Sequence, residues 1–216
     1  AAMMKLVNEF LARQFSKPSR VIGPLVLAPL WNSRNQALND SALNLLTLEP
    51  DDNVLEIGFG GGYLLGKALA RVTRGAVAGI DASAAMTDYC RGRYRRELLA
   101  GRLELQCAAV DAIPYATGRF DKVFSVNSLF YWPDAAQAIR ECWRVTRDGG
   151  ALALVFTSSW SLKTRSFAQH GLALRDGPEI SRMMREVGFG VSRVAEEHDR
   201  HRSYWCVVGT KAAGPA

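Results

Sequence analysis

Short apolar runs alternate with helical patterns through the middle of this chain. The stretches "NVLEI" at 53–57, "AVAGI" at 76–80, "LELQC" at 103–107, "KVFSV" at 122–126 and "LALVF" at 152–156 are brief and largely apolar, and each reads as a strand covered on both faces. Between them the apolar period changes from two to about four. "GYLLGKALARV" puts Leu64, Leu65, Ala68, Leu69 and Val72 on one helical face, and "DAAQAIRECWRV" does the same with Ala135, Ile139, Cys142 and Trp143. Strand and helix repeated in this order predict an α/β fold, a doubly wound parallel sheet with right-handed crossovers. The far end differs: "EISRMMREVGFG" is a helix stopping at Gly188, and "VSRVAEE" and "SYWCVVGT" read as two strands joined by the polar "HDRH" turn, an antiparallel edge. Roughly the first 50 residues stand outside the alternation, with a helix "LVNEFLARQF", a proline-broken apolar segment and a second helix "RNQALNDSALNLL".

Composition narrows the class. At 216 residues and 48% hydrophobic the chain supports one full core. Cys90, Cys107, Cys142 and Cys206 are scattered without a CxxC pair, so neither a zinc site nor a disulfide framework is indicated and a cytoplasmic setting is expected. The longest apolar run, Val21 to Trp31, is too short for a bilayer and carries two prolines, so no membrane span is expected. The net charge of +6 raises the question of a nucleic-acid partner, with Arg91, Arg93, Arg95, Arg96 and Arg102 close together. Met86, Cys90, Tyr94 and Leu98 recur every four residues there, which predicts one amphipathic helix with a solvated basic back; no nucleic-acid partner is expected from it.

The loop after the first strand holds two near-matches to nucleotide motifs. A dinucleotide fingerprint from Gly58 needs glycine where Tyr63 stands, and a phosphate loop from Gly61 needs a hydroxyl where Ala68 stands. Lys67 sits inside an apolar helix rather than at its mouth. What remains is Glu56, then glycines at 58, 60, 61 and 62, then Asp81 closing the second strand and Asp111 following the third. Glycines admit a ligand against bare backbone, and a carboxylate at the second strand end is where a ribose diol is held. Three acidic residues at successive strand ends suit a ligand with a ribose, an amine and a positive charge, and repel a pyrophosphate.

These stretches resemble the class I S-adenosylmethionine-dependent methyltransferases, in particular the small-molecule branch with the ubiquinone/menaquinone C-methyltransferases. "VLEIGFGGG" is similar to the family's first motif and "GIDAS" to its second. "AAVDAIPYATGRFDKVFSVNSLFYWPD" covers the third and fourth, and "RECWRVTRDGGALALVF" the helix, turn and fifth strand. The resemblance implies a Rossmann-like seven-stranded sheet in order 3-2-1-4-5-7-6 with strand 7 antiparallel, under an N-terminal helical lid. It divides the chain into a lid, 1–50, and an S-adenosylmethionine-binding domain, 51–216. It implies that Gly58 and Gly60 pass under the methionyl part of S-adenosylmethionine, with Glu56 holding the loop or the ammonium. It gives Asp81 the ribose, Ala82 and Met86 the flanks of the adenine, Asp111 and the Ala112 amide the adenine edge, and Asn127 the methionine moiety.

The acceptor is less sharply written. Base methyltransferases acting on exocyclic amines carry a proline pair after the fourth strand, and "NSLFYW" has none, which argues against a DNA or RNA amino group. Trp31, Phe130, Trp132 and Trp160 lie in segments expected over the strand ends, along with Tyr131 and Phe167, and point to a small apolar or aromatic acceptor. His170 and Tyr131 are the candidate proton acceptors. His198 and His201 read as solvated, so no metal is expected. An NAD-dependent oxidoreductase is the competing enzyme class, and an RNA-binding module or RNA methyltransferase the competing partner class; the oligomeric state is not indicated.

Overall fold

The structure is a computed structural model that describes residues 35–163 and 172–213. The described residues form a seven-stranded sheet in order β3-β2-β1-β4-β5-β7-β6. Its strands are β1 (Asn53–Ile57), β2 (Ala76–Asp81), β3 (Leu103–Cys107), β4 (Phe120–Val126), β5 (Thr146–Thr157), β6 (Phe189–His198) and β7 (Ser203–Lys211). β1 to β5 pair in parallel, and β7 runs antiparallel between β5 and β6. This is the order expected above. The register shifts between Phe120 and Lys122 in β4 and between Val191 and Arg193 in β6.

Strand alternation sends successive side chains to opposite faces. Val54 faces the layer of α1 (Gln36–Leu46), α2 (Tyr63–Arg71) and α3 (Ala84–Arg93), whereas Leu55 and Ile57 face α5 (Ala135–Val145) and α6 (Gly177–Glu186). Ala153 and Val155 of β5 join the first layer, and Leu152, Leu154 and Phe156 the second. Both cores are made from the apolar stripes read in the sequence, including Leu64, Leu65, Ala68 and Leu69 on one side and Ala135, Ile139 and Cys142 on the other.

Two expectations need correction. First, α1 is a layer of the core. Leu38, Ala42, Leu43 and Leu46 are at most 3% exposed and pack over β4, β5 and β7, so the described part of the 1–50 segment covers the sheet. Residues 1–34, with Trp31 and the proline-broken run, lie outside the described residues, as do His170 and Phe167. Second, the helix expected to carry Met86, Cys90, Tyr94 and Leu98 is two: α3 ends at Arg93 and α4 (Arg95–Leu99) follows, with Tyr94 non-helical between them at φ −110° and ψ 30°. Its basic back is partly structural, since Arg91 donates to the Leu105 carbonyl (3.2 Å), and Arg102 to those of Leu69 and Val72 (2.7 and 3.1 Å).

Candidate cofactor and acceptor site

The carboxyl ends of β1 and β2 carry the loop Gly58–Gly62. Gly58 has φ +76°, its amide donates to the Ile80 carbonyl at 2.8 Å, and a Cβ there would lie 2.5 Å from the Cβ of Ser128. Glycine is therefore required by a close approach between this loop and the one after β4 as well as by the backbone angle. Gly60 has φ +47°.

Asp81 organises this loop. One carboxylate oxygen accepts from the Gly60 amide and the other from the Ser83 amide, each at 2.8 Å. The helix after it is capped by Ser83, whose hydroxyl accepts from the Met86 amide at 3.3 Å. Asp81 is thus free of the capping duty that would have explained it structurally. Burial raises its carboxyl above the ordinary range, while the Ser83 and Gly60 amides lower it.

Glu56 lies beneath the loop, 4% exposed. The Leu65 amide bonds its carboxyl, yet Oε2 is buried without a partner among the described residues. Burial first, and then the charge of Asp81, push the carboxyl up to about 8. A buried unpaired acceptor costs about 1–3 kcal/mol, and a nearby cation would relieve that cost. Two acidic groups side by side at adjacent strand ends fit a ligand that offers ribose hydroxyls and a positive charge.

The remaining expected residues fall into three groups. Asp111 is half-buried in the loop after β3, where its main-chain carbonyl accepts from Gln137 Nε2 at 3.4 Å, and Ala112 and Ala82 are exposed beside it and at the end of β2. Met86, on α3, is 1% exposed and packs in the core between that helix and the sheet. Asn127, at φ +55°, has its side chain taken up: Nδ2 donates to Asn35 Oδ1 (2.8 Å), and Oδ1 accepts from the Thr157 amide and hydroxyl (both 2.9 Å). Arg202 joins them by donating to Asn35 Oδ1 at 3.0 Å.

The aromatic set divides too. Trp132 is 4% exposed, a core side chain whose indole N–H donates to Ser128 Oγ at 3.1 Å. Phe130 and Tyr131 make an edge contact, centroids 4.8 Å apart, in a satellite cluster with Leu162, Leu172 and Leu174. Burial pushes the Tyr131 phenol up from its ordinary value. Trp160 is 72% exposed and lines a 540 Å³ cavity with Glu196, His198, Asp199, His201 and Arg202. That cavity lies at the strand-end edge, because the β6–β7 turn meets the last residues of β5 there. Among the described residues no cluster of three or more His, Cys, Asp or Glu side chains is arranged to hold a metal, and no helix is long and apolar enough to cross a membrane.

Ser128, Asn35 and Arg202 were not singled out from the sequence. Ser128 touches Ser125 Oγ, the Ile57 carbonyl and Trp132, tying the glycine loop's strand to the loop after β4. The sequence carries no sign of the tie to Ile57, because that contact joins segments 71 residues apart.

The arrangement matches proteins of one class. A family model described as a methyltransferase domain matches residues 55–154. An uncharacterized methyltransferase of Bacillus subtilis, YdaC, is 30% identical over 69% of this chain and 82% of its own length. A chloroplastic 2-methyl-6-phytyl-1,4-hydroquinone methyltransferase of rice is 29% identical over 66% of this chain, which spans only 42% of that protein. In fold, a SAM-dependent methyltransferase from Aquifex aeolicus superimposes with a TM-score of 0.68, covering 94% of this chain and 97% of its own, at 18% identity. The chain belongs to the class I S-adenosylmethionine-dependent methyltransferases, and S-adenosylmethionine is its methyl donor. The dehydrogenase alternative falls with that membership.

Proposed function

We propose that this protein transfers the methyl group of S-adenosylmethionine to a small, largely apolar or aromatic molecule. The observation that carries the cofactor side is the pair of strand-end carboxyls, Asp81 gripping the Gly60 amide and Glu56 with an unpartnered buried oxygen. In this reading Gly58 and Gly60 let the methionyl chain lie on bare backbone and Glu56 faces its positive charge. Asp81 accepts from the ribose, and Asp111 with the Ala112 amide borders the adenine. The donor supplies an activated methyl group on sulfur with its leaving group built in. Bound there, it would deliver that methyl group to the acceptor's nucleophilic atom and leave as S-adenosylhomocysteine, and the acceptor's proton would pass to solvent or to a nearby base. Alignment and exclusion of water are the protein's main contributions.

The acceptor side is supported by Phe130, Tyr131 and Leu162 over the strand ends and by the open face of Trp160 beside its cavity. The hydroquinone named for the rice relative is of the same apolar, aromatic kind. The test is a screen of hydroquinones, phenols and prenylated aromatics with S-adenosylmethionine, scored by release of S-adenosylhomocysteine. Turnover confined to amino acids or short polar amines would overturn the acceptor class.

A further inference from the structure

Gly60, Gly61 and Gly62 have no side chains with which to fix their own backbone, yet a cofactor loop must hold one shape. The restraint comes from α3. Cys90 Sγ donates to the Gly60 carbonyl (3.4 Å), Arg93 Nη1 to the Gly61 carbonyl (3.0 Å) and the Tyr94 hydroxyl to the Gly62 carbonyl (2.6 Å). Three successive carbonyls are thus drawn to one side by one helix end. The break after Arg93 takes part in this, since Tyr94 leaves the helical path at the point where its phenol meets the loop.

The neighbouring glycines are shaped to receive that ring. A Cβ at Gly62 would lie 2.9 Å from Tyr94 Cε2 and 2.8 Å from Cys90 Sγ, and one at Gly66 would lie 2.7 Å from the Tyr94 hydroxyl. Gly66 is the glycine that made "GGYLLGK" resemble a phosphate loop; here it makes room for a phenol. Lys67, the other half of that likeness, pairs with Asp40 at 3.7 Å. Burial raises the Tyr94 phenol to about 12, so it remains a donor throughout the physiological range.

We propose that Arg93 and Tyr94 are positioning residues for S-adenosylmethionine, holding the Gly61–Gly62 backbone in its ligand-binding shape from the side away from the ligand. This rests on the reading that the glycine loop carries the methionyl part of the cofactor. A loop ordered before binding spares the ligand the cost of ordering it, so the clamp acts on affinity rather than on the chemical step.

The experiment is calorimetric titration of the full chain with S-adenosylhomocysteine and with 5′-methylthioadenosine, which lacks the amino-acid part. Tyr94→Phe, which keeps the ring, should weaken S-adenosylhomocysteine about fivefold, the scale of one lost neutral hydrogen bond, and Arg93→Met about tenfold or more, the scale of one lost from a charged group, with methylthioadenosine weakened less than twofold by either. Gly66→Ala approaches from the other side: its methyl would meet the Tyr94 hydroxyl and push it off the Gly62 carbonyl, so S-adenosylhomocysteine binding should fall, while the helix propensity gained in α2 offsets part of the crowding. Asp81→Ala should weaken both ligands. If Asp81→Ala weakens both ligands and the clamp variants bind like the parent, the clamp is overturned and the site reading stands. If none of the variants affects binding, the site reading is overturned and the clamp with it. Equal losses of both ligands in Tyr94→Phe, with a lowered melting temperature, would mark general loosening and also overturn the clamp.

Discussion

Asp81 and Glu56 stand at adjacent strand ends, and their surroundings give them different chemistry. Asp81 already accepts two amides, so its remaining lone pairs are aimed by a fixed carboxylate. Removing it with Asp81→Ala should cost S-adenosylhomocysteine about 1.5–3 kcal/mol, the range for hydrogen bonds to a charged group, with the fold retained; calorimetry and circular dichroism measure both. Glu56 is held near 8 rather than its ordinary 4.5. The folded protein therefore keeps a proton that the unfolded chain loses between those values, and stability falls as pH rises through that window. Each unit of such a shift is worth ~1.4 kcal/mol. Melting temperature without ligand should decline from pH 5 to pH 8, and Glu56→Gln should flatten the slope; an unchanged slope would show that other groups cause it. The placing of both acids at strand ends beside the glycines was legible in the sequence, because each lies at the end of a short apolar run. The polar contacts around the site were not: Ser128 meets Ile57, and Arg202 meets Asn35, across long stretches of chain.

Among the elements, α1 decides how much of the chain the fold requires. Its stripe faces β4, β5 and β7, so Leu38→Ala should cost about 2–5 kcal/mol of stability by leaving a cavity where nothing can collapse inward. A chain beginning at Asn35 should keep the sheet covered, whereas one beginning near Leu43 would expose the apolar side of β5 and aggregate; light scattering of the two truncations distinguishes them. Periodicity showed that residues 34–46 would be helical but not which surface they would cover, since an amphipathic stripe looks the same over a core and over a ligand. The break at Tyr94 was hidden for a related reason. The four-residue spacing of Met86, Cys90, Tyr94 and Leu98 continues through it, and its geometry is tied to a contact with Gly62 that lies 32 residues away. Strands β1 and β3 were legible to the residue because each is a short apolar run between polar turns.

At the scale of the whole molecule, the positive charge has partly internal uses. Arg91, Arg93, Arg102 and Arg144 donate to main-chain carbonyls, the last to those of Ile113 and Tyr115, so the +6 total overstates what the surface offers an anionic partner. In that sense the arginine cluster acts as mortar between helices and loops. The sheet's outer margin has a comparable consequence. Among the described residues β6 has one neighbour, β7, and a strand paired on one side is open to recruitment by an extended peptide. The offset between Val191 and Arg193 bends that margin, and the Arg193–Glu197 ion pair sets charge along it. A straight incoming strand could not match its hydrogen bonds to a bent template or bury those charges. Growth of the sheet therefore ends at β6, and straightening the bend while replacing both charges with valine should turn a terminated edge into a seed for fibrils, visible as thioflavin-positive aggregation.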